Sequence, residues 1–251
     1  SFKYQSYLRE PRKLRLPRLM KILNPKQTIV ALDFDSYKEA ELIIRHLNPD
    51  NFRLKVGKQL FSNEGPKVLE KINKKGFEIF LDLKLHDIPN TVYKALKNLL
   101  NHNVWMTNIH LLGGEEMIKA AAEARKDSKS DTLLVGVTVL TSLNQNNIDR
   151  LGLKISIPKL VETLSMTAKV NSIDGVVCSV AEVLSLKKNI GKDFITVTPG
   201  IRINEKSGDQ SRVATIEEAI TNNSDFIVLG REITSSKDVP QMIKKIESYI
   251  I

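Results

Sequence analysis

From Thr28 onward the chain repeats one pattern: a short β-rich run, a turn, then a longer amphipathic stretch. The runs are Thr28–Asp33, Arg53–Gly57, Glu78–Asp82, Val104–His110, Thr132–Leu140, Gly175–Cys178, Phe194–Thr198 and Phe226–Leu229. Strands joined through helices lie parallel, and such crossovers are right-handed. Eight such units predict an α/β fold, the (β/α)8 TIM barrel: a parallel eight-stranded barrel surrounded by helices, formed as a single domain by residues 27–251. A doubly wound open sheet is the competing architecture. Its GxGxxG turn is missing after the first run, which ends Leu32-Asp33-Phe34-Asp35.

The intervening stretches read as helices. Ser36–Leu47 spaces Ala40, Ile43, Ile44 and Leu47 along one face, with Ser36 as N-cap. Pro66–Lys75 stops before Gly76, and Pro89–His102 opens on a proline that a first turn tolerates. Ile157–Val170 and Pro240–Tyr249 follow the same rule.

The net charge of +9 raises the question of a polyanionic partner, and its location answers it. Residues 1–26 hold eight Lys and Arg against Glu10 alone, a surplus of +7, which leaves +2 for the rest. The basicity therefore belongs to an N-terminal extension, either a disordered or appended decoration or a targeting or RNA-contacting arm. Pro11 and Pro17 break any long helix there, and no interleaved aromatics build a nucleic-acid platform. The extension lacks the apolar core of a secretory signal. No uninterrupted apolar run exceeds four residues, so neither a membrane span nor a membrane partner is expected. A lone cysteine, Cys178 in an apolar run, excludes an intrachain disulfide and suggests an inert core thiol in a reducing, cytoplasmic setting.

Barrel chemistry sits at the C-terminal strand ends. Charge recurs there: Asp33, Lys55, Asp82, Lys84, His110, Arg202 and Arg231. Strand alternation puts Asp82 and Lys84 on one face and Leu81, Leu83 and Leu85 on the other, with Asp87 just beyond. Burial alone would discharge a lysine, and the two carboxylates Asp82 and Asp87 oppose that. Such a charged Lys84 suits proton donation. Spacing alone leaves open an ion-pair cluster that merely orders the barrel mouth. After the seventh and eighth strands come Gly200, Arg202, Gln210, Gly230 and Arg231, residue types that cradle phosphate at the usual barrel position. The polar segment 199–212 reads as a long functional loop. Trp105 reads as core within the fourth strand, and His46 and His102 as surface or hydrogen-bonded residues. No histidine or cysteine pair has metal-ligand spacing, and GxSxG is absent.

The run Asp82-Leu83-Lys84-Leu85-His86-Asp87-Ile88-Pro89-Asn90-Thr91 resembles the signature of the orotidine 5′-phosphate decarboxylase family, in its bacterial subgroup. The likeness continues in order through Ala31-Leu32-Asp33, Leu54-Lys55-Val56-Gly57, Asn108-Ile109-His110, Val139-Leu140-Thr141-Ser142, Asp174-Gly175-Val176-Val177-Cys178-Ser179, Thr198-Pro199-Gly200-Ile201-Arg202 and Gly230-Arg231. It implies a homodimeric barrel with shared active sites that converts orotidine 5′-phosphate to UMP and carbon dioxide in pyrimidine biosynthesis, with no cofactor and no metal. In that pattern Asp33 and Lys55 hold the ribose hydroxyls, and Lys84 protonates C6. Asp82 crowds the substrate carboxylate, while Asp87 and Thr91 reach the neighbouring subunit's site. Thr141 and Ser142 meet the pyrimidine, and Arg202, Gln210, Gly230 and Arg231 grip the phosphate. Three rivals remain at this stage. They are a magnesium-dependent sugar-phosphate decarboxylase sharing the DxKxxD core, a Schiff-base lyase using Lys84, and a nucleotide- or RNA-binding module using the tail.

Overall fold

The structure, a computed structural model, describes residues 22–203 and 212–250. Its strands are β1 (Thr28–Ala31), β2 (Phe52–Gly57), β3 (Ile79–Leu85), β4 (Met106–His110), β5 (Leu133–Val137), β6 (Gly175–Val177), β7 (Ile195–Thr198), β8 (Ile201–Arg202), β9 (Ala214–Thr215) and β10 (Phe226–Leu229). Eight of them, β1 to β7 and β10, close a parallel barrel in which β1 pairs with both β2 and β10. At least one helix follows each barrel strand. The pair β8–β9 lies outside the barrel. The segment 199–212, expected as an uninterrupted loop, thus begins with a short strand paired in parallel to the chain just beyond it.

Strand alternation explains the two layers. Ile29, Ala31, Phe80, Met106, Val135, Val197 and Val228 point inward and fill the barrel. Their neighbours Val30, Leu54, Leu81 and Leu229 point outward beneath one set of helices, and Leu134, Val176 and Cys178 beneath another. Each fully buried Val, Leu, Ile, Phe or Met among them contributes roughly 1.5–3 kcal/mol over an exposed one. Gly175 is required where β6 meets β7, because a Cβ there would lie 2.2 Å from the Ile195 carbonyl oxygen.

On β2 the inward positions are Arg53 and Lys55. Arg53 fills the N-terminal end, its guanidinium carbon 3.8 Å from the Trp105 ring centre and its Nε donating to Glu78 at 2.7 Å. Trp105 stands edge-on to Phe226, with centroids 5.0 Å apart. It is not a residue of β4: it precedes the strand and is partly buried at this lower end, where its ring stacks a cation. Lys55 takes the upper end.

Helix ends follow local chemistry. Ser36 caps Tyr37–Ile44 by accepting from the Glu39 amide at 3.3 Å, and Pro89 starts Pro89–Leu99. The expected Pro89–His102 helix tightens into a 3-10 turn over Leu100–His102. Within the segment assigned to the basic extension, residues 1–21 lie outside the described residues. Leu23 is buried, bridges to Ile250 and donates to the Tyr249 carbonyl, so the packed body includes it. Cys178 is buried, and burial pushes its thiol up to about 12, as an inert core thiol requires. Among the described residues no helix is long and apolar enough to cross a membrane.

Candidate active site

A cavity of about 250 Å³ opens at the C-terminal ends of the barrel strands. Asp33, Lys55, Asp82 and Lys84 line it together with Arg202, Gly230 and Arg231, Thr141 and the apolar Val137, Val139 and Val228. Four basic side chains against two carboxylates give the lining a surplus of two positive charges, which suits an anionic ligand.

Asp82 is the node of the charged lining. It is buried, and its Oδ1 accepts from Lys84 Nζ at 2.7 Å and from Asn108 Nδ2 at 2.7 Å. Its Oδ2 lies 3.1 Å from Lys55 Nζ, which reaches on to Asp33 Oδ1 at 3.3 Å. Burial alone would raise the Asp82 carboxyl. Lys55, then Lys84, with hydrogen bonds from Lys84 and Asn108, overturn that and hold it below the ordinary carboxylate value. Burial likewise works against the Lys55 ammonium, but Asp82 and Asp33 leave it above the ordinary lysine value. Ion pairs thus link Asp33, just beyond β1, to Lys55 on β2 and on to Asp82 and Lys84 on β3.

Asp82 and Lys84 share the cavity face, as strand alternation predicts, but the backbone between them is irregular. Lys84 has φ +50°, in the left-handed region, and the β3–β4 register shifts between Leu81 and Leu85. The facing nonetheless alternates as expected, with Leu83 and Leu85 packed outward and Lys84 on the cavity side, while the bulge changes the local backbone and the register against β4. For a residue with a β-carbon that conformation costs roughly 1–3 kcal/mol, a strain typical of functional sites. The expected second carboxylate beside Lys84 is displaced. Asp87 is exposed, and its Oδ1 accepts from the Ile88 amide at 2.7 Å. Among the described residues Lys84 meets one carboxylate, and that carboxylate is shared with Lys55.

Other expected residues divide. Thr141, Arg202, Gly230 and Arg231 line the cavity. Ser142 is exposed and outside the lining, and Thr91 is exposed on the helix Pro89–Leu99, away from the cavity. Gln210 lies outside the described residues. Arg202 Nη1 reaches Glu232 Oε1 at 3.4 Å, and the other oxygen of Glu232 accepts from the Ile203 amide at 3.4 Å. Glu232 thereby ties the segment after β7 to the end of β10. Arg212 pairs with Glu182 and donates to Ser179 at 3.1 Å, anchoring the far side of the same segment.

Two participants were not assigned roles from sequence: Asn108 and Glu232. Asn108 was legible in principle, since alternation from the inward Met106 turns it inward too. Glu232 had no such signal. His110 stacks on His86 with ring centres 5.2 Å apart, and its Nδ1 accepts from the Leu112 amide. Burial, then His86, Lys84 and Lys58, push it down to about 4, so it is neutral at pH 7.

Fold and site together define a (β/α)8-barrel enzyme that handles a small anionic substrate at its strand ends. Over residues 26–246 the sequence matches the orotidine 5′-phosphate decarboxylase/HUMPS family, to which the chain belongs. It is 46% identical over 220 residues to a protein of Teredinibacter turnerae named orotidine 5′-phosphate decarboxylase, covering 87% of this chain and 94% of that one. A Saccharophagus degradans protein of the same name is 44% identical over 228 residues, covering 90% and 95%. Among solved structures, the orotidine 5′-phosphate decarboxylase of Lactobacillus acidophilus superposes with a TM-score of 0.79 at 37% identity, covering 90% of this chain and 98% of that one.

Proposed function

We propose that this chain decarboxylates orotidine 5′-phosphate to UMP and carbon dioxide, acting as a cytoplasmic enzyme of pyrimidine biosynthesis. The observation that carries the reading is the Asp33–Lys55–Asp82–Lys84 chain lining one small cavity together with Arg202, Gly230 and Arg231. Such a cavity takes a ligand with a phosphate at one end and a reacting carbon at the other.

The chemistry follows from the charges. The substrate's C6 carboxylate leaves as carbon dioxide, and the bonding pair stays on an sp2 carbon that no ring carbonyl delocalises. The Lys84 ammonium is a preorganised counter-charge for that pair. It then gives a proton to C6, forming UMP, and the neutral amine recovers a proton from solvent. Asp82 keeps Lys84 in place and opposes the incoming substrate carboxylate. Lys55 and Asp33 hold the ribose hydroxyls, and Thr141 with Ser142 meets the pyrimidine. Arg202, Gln210, Gly230 and Arg231 bind the phosphate, and this remote binding energy offsets the repulsion at Asp82.

The working form is a homodimer in which Asp87 and Thr91 complete the partner's site. What supports this is that both are exposed here beside Ile88, an apolar side chain left 67% exposed. Nucleic acid and membranes are not partners in this reading, and neither a metal nor a cofactor is needed. The test is turnover of orotidine 5′-phosphate, followed by carbon dioxide release with EDTA present. Full activity in EDTA is expected. Activity only on a sugar phosphate with added magnesium would replace this reading with the sister decarboxylase.

A further inference from the structure

Between the register pairs Leu81–Thr107 and Leu85–Ile109, three residues of β3 face one residue of β4. The three are Asp82, Leu83 and Lys84; the one is Asn108. A bulge of this kind re-aims side chains and strips backbone groups of their ladder partners. The group left over is the amide of Lys84, the residue at positive φ. Asn108 takes it. The Asn108 side chain is fully buried, its Oδ1 accepts from the Lys84 amide at 2.8 Å, and its Nδ2 donates to Asp82 Oδ1 at 2.7 Å. A backbone N–H can only donate, so the orientation of the carboxamide is fixed by its partners.

We propose that Asn108 is the positioning residue of this site: clamped between the Lys84 backbone and the Asp82 carboxylate, it holds the two charged groups in register for proton transfer. The side chain is chemically particular. It must present an acceptor and a donor at once, at the reach of one methylene. An ionised aspartate has no donor and sets a second carboxylate against Asp82, and alanine has neither group.

The kinetic half of this inference rests on the decarboxylase reading; the geometric half does not. The experiment pairs unliganded crystal structures of Asn108→Ala and Asn108→Asp with steady-state kinetics over pH 5–9. In Asn108→Ala, Lys84 is expected to leave positive φ and its ammonium to leave hydrogen-bond reach of Asp82. Misplacement of about 1 Å costs ~100-fold, so kcat should fall by about that factor. KM should stay within roughly 3-fold, because the phosphate-end arginines stand on other elements, Arg202 on β8 and Arg231 at the start of the helix after β10. Asn108→Asp keeps the acceptor and should keep positive φ at Lys84. Its kcat should be low at pH 8 and recover toward acid, where the introduced carboxyl gains a proton and a donor. If Asn108→Ala does not fold, Asn108→Asp carries the test through that acid limb. An Asn108→Ala crystal structure with Lys84 still at φ near 50° and still paired to Asp82 overturns the proposal, whatever the wild-type activity. So does a kcat per folded molecule, and a pH profile, unchanged in both variants. Absence of wild-type turnover refutes the decarboxylase reading instead and leaves the crystallographic comparison to decide the role of Asn108.

Discussion

Replacing Asp82 by asparagine removes one charge without changing volume, and the structure sets what that costs. Asp82 accepts from three donors: Lys84 Nζ, Asn108 Nδ2 and Lys55 Nζ. Asparagine has one acceptor oxygen, so its NH2 must face a donor, most directly the Lys55 ammonium now 3.1 Å from Oδ2. Removing one partner of a buried pair costs about 3–5 kcal/mol. Lys55 keeps Asp33 at 3.3 Å, which places the loss near the lower end, about 3 kcal/mol. In a chain of this length each kcal/mol moves Tm by roughly 2–4 °C, so Asp82→Asn should melt about 6–12 °C below wild type at pH 7. The pH dependence has a definite sign. The folded Asp82 carboxyl sits below its ordinary value, so its contribution is complete above about pH 4 and is lost as pH falls through the folded value. Lys55 sits above its ordinary value, so its contribution is complete below about pH 10 and fades only in stronger alkali. Calorimetric melts of both proteins between pH 3 and pH 9 should therefore show a constant gap from pH 6 to 8 that narrows in acid. A variant as stable as wild type at pH 7, or a gap that widens on acidification, would refute Asp82 as the shared counter-ion of two lysines.

Other outcomes follow from the same geometry. Lys84→Ala should lower kcat at least 10²–10⁴-fold, the usual worth of a positioned proton donor, while calorimetry still detects UMP binding; retained turnover removes Lys84 from the mechanism. Arg231→Ala should weaken kcat/KM on the phosphorylated substrate far more than on orotidine, and equal losses would contradict a phosphate role. Mixing inactive Asp87→Ala and Lys84→Ala subunits should restore part of the activity, since one site of each mixed dimer has both groups; no recovery on exchange argues against a shared site. Cys178, buried with its thiol pushed up to about 12, should resist a thiol reagent at pH 8 until the protein is unfolded; rapid labelling of the native protein would contradict that burial.

Much of the architecture is legible because its causes are local. The alternation of inward Ile29 and Ala31 with outward Val30 is written in the period of the strand, and Ser36 and Pro89 mark helix starts by their own chemistry. Boundaries were less legible. The run read as ending at Asp82 continues to Leu85, because the bulge lets Lys84 and Leu85 stay in the sheet against β4. The run read to Leu140 stops at Val137, where pairing with β6 ends at Val177. Arg202 was recognisable by its place after the seventh strand. Its tie to Glu232, 30 residues away, was not, because it depends on how two neighbouring loops fold over the barrel mouth.

The order of strands and helices, the apolar layers and the presence of charge at one end of the barrel are properties of the sequence alone, since each depends on residues within a few positions of one another. Which charges meet is a different matter. Lys55, Asp82 and Asn108 come from three adjacent strands, and their contacts depend on the register between strands and on a bulge that turns Lys84 into the left-handed region. Register is set by the closure of the whole barrel, so tertiary structure alone decided that one buried carboxylate would serve two lysines.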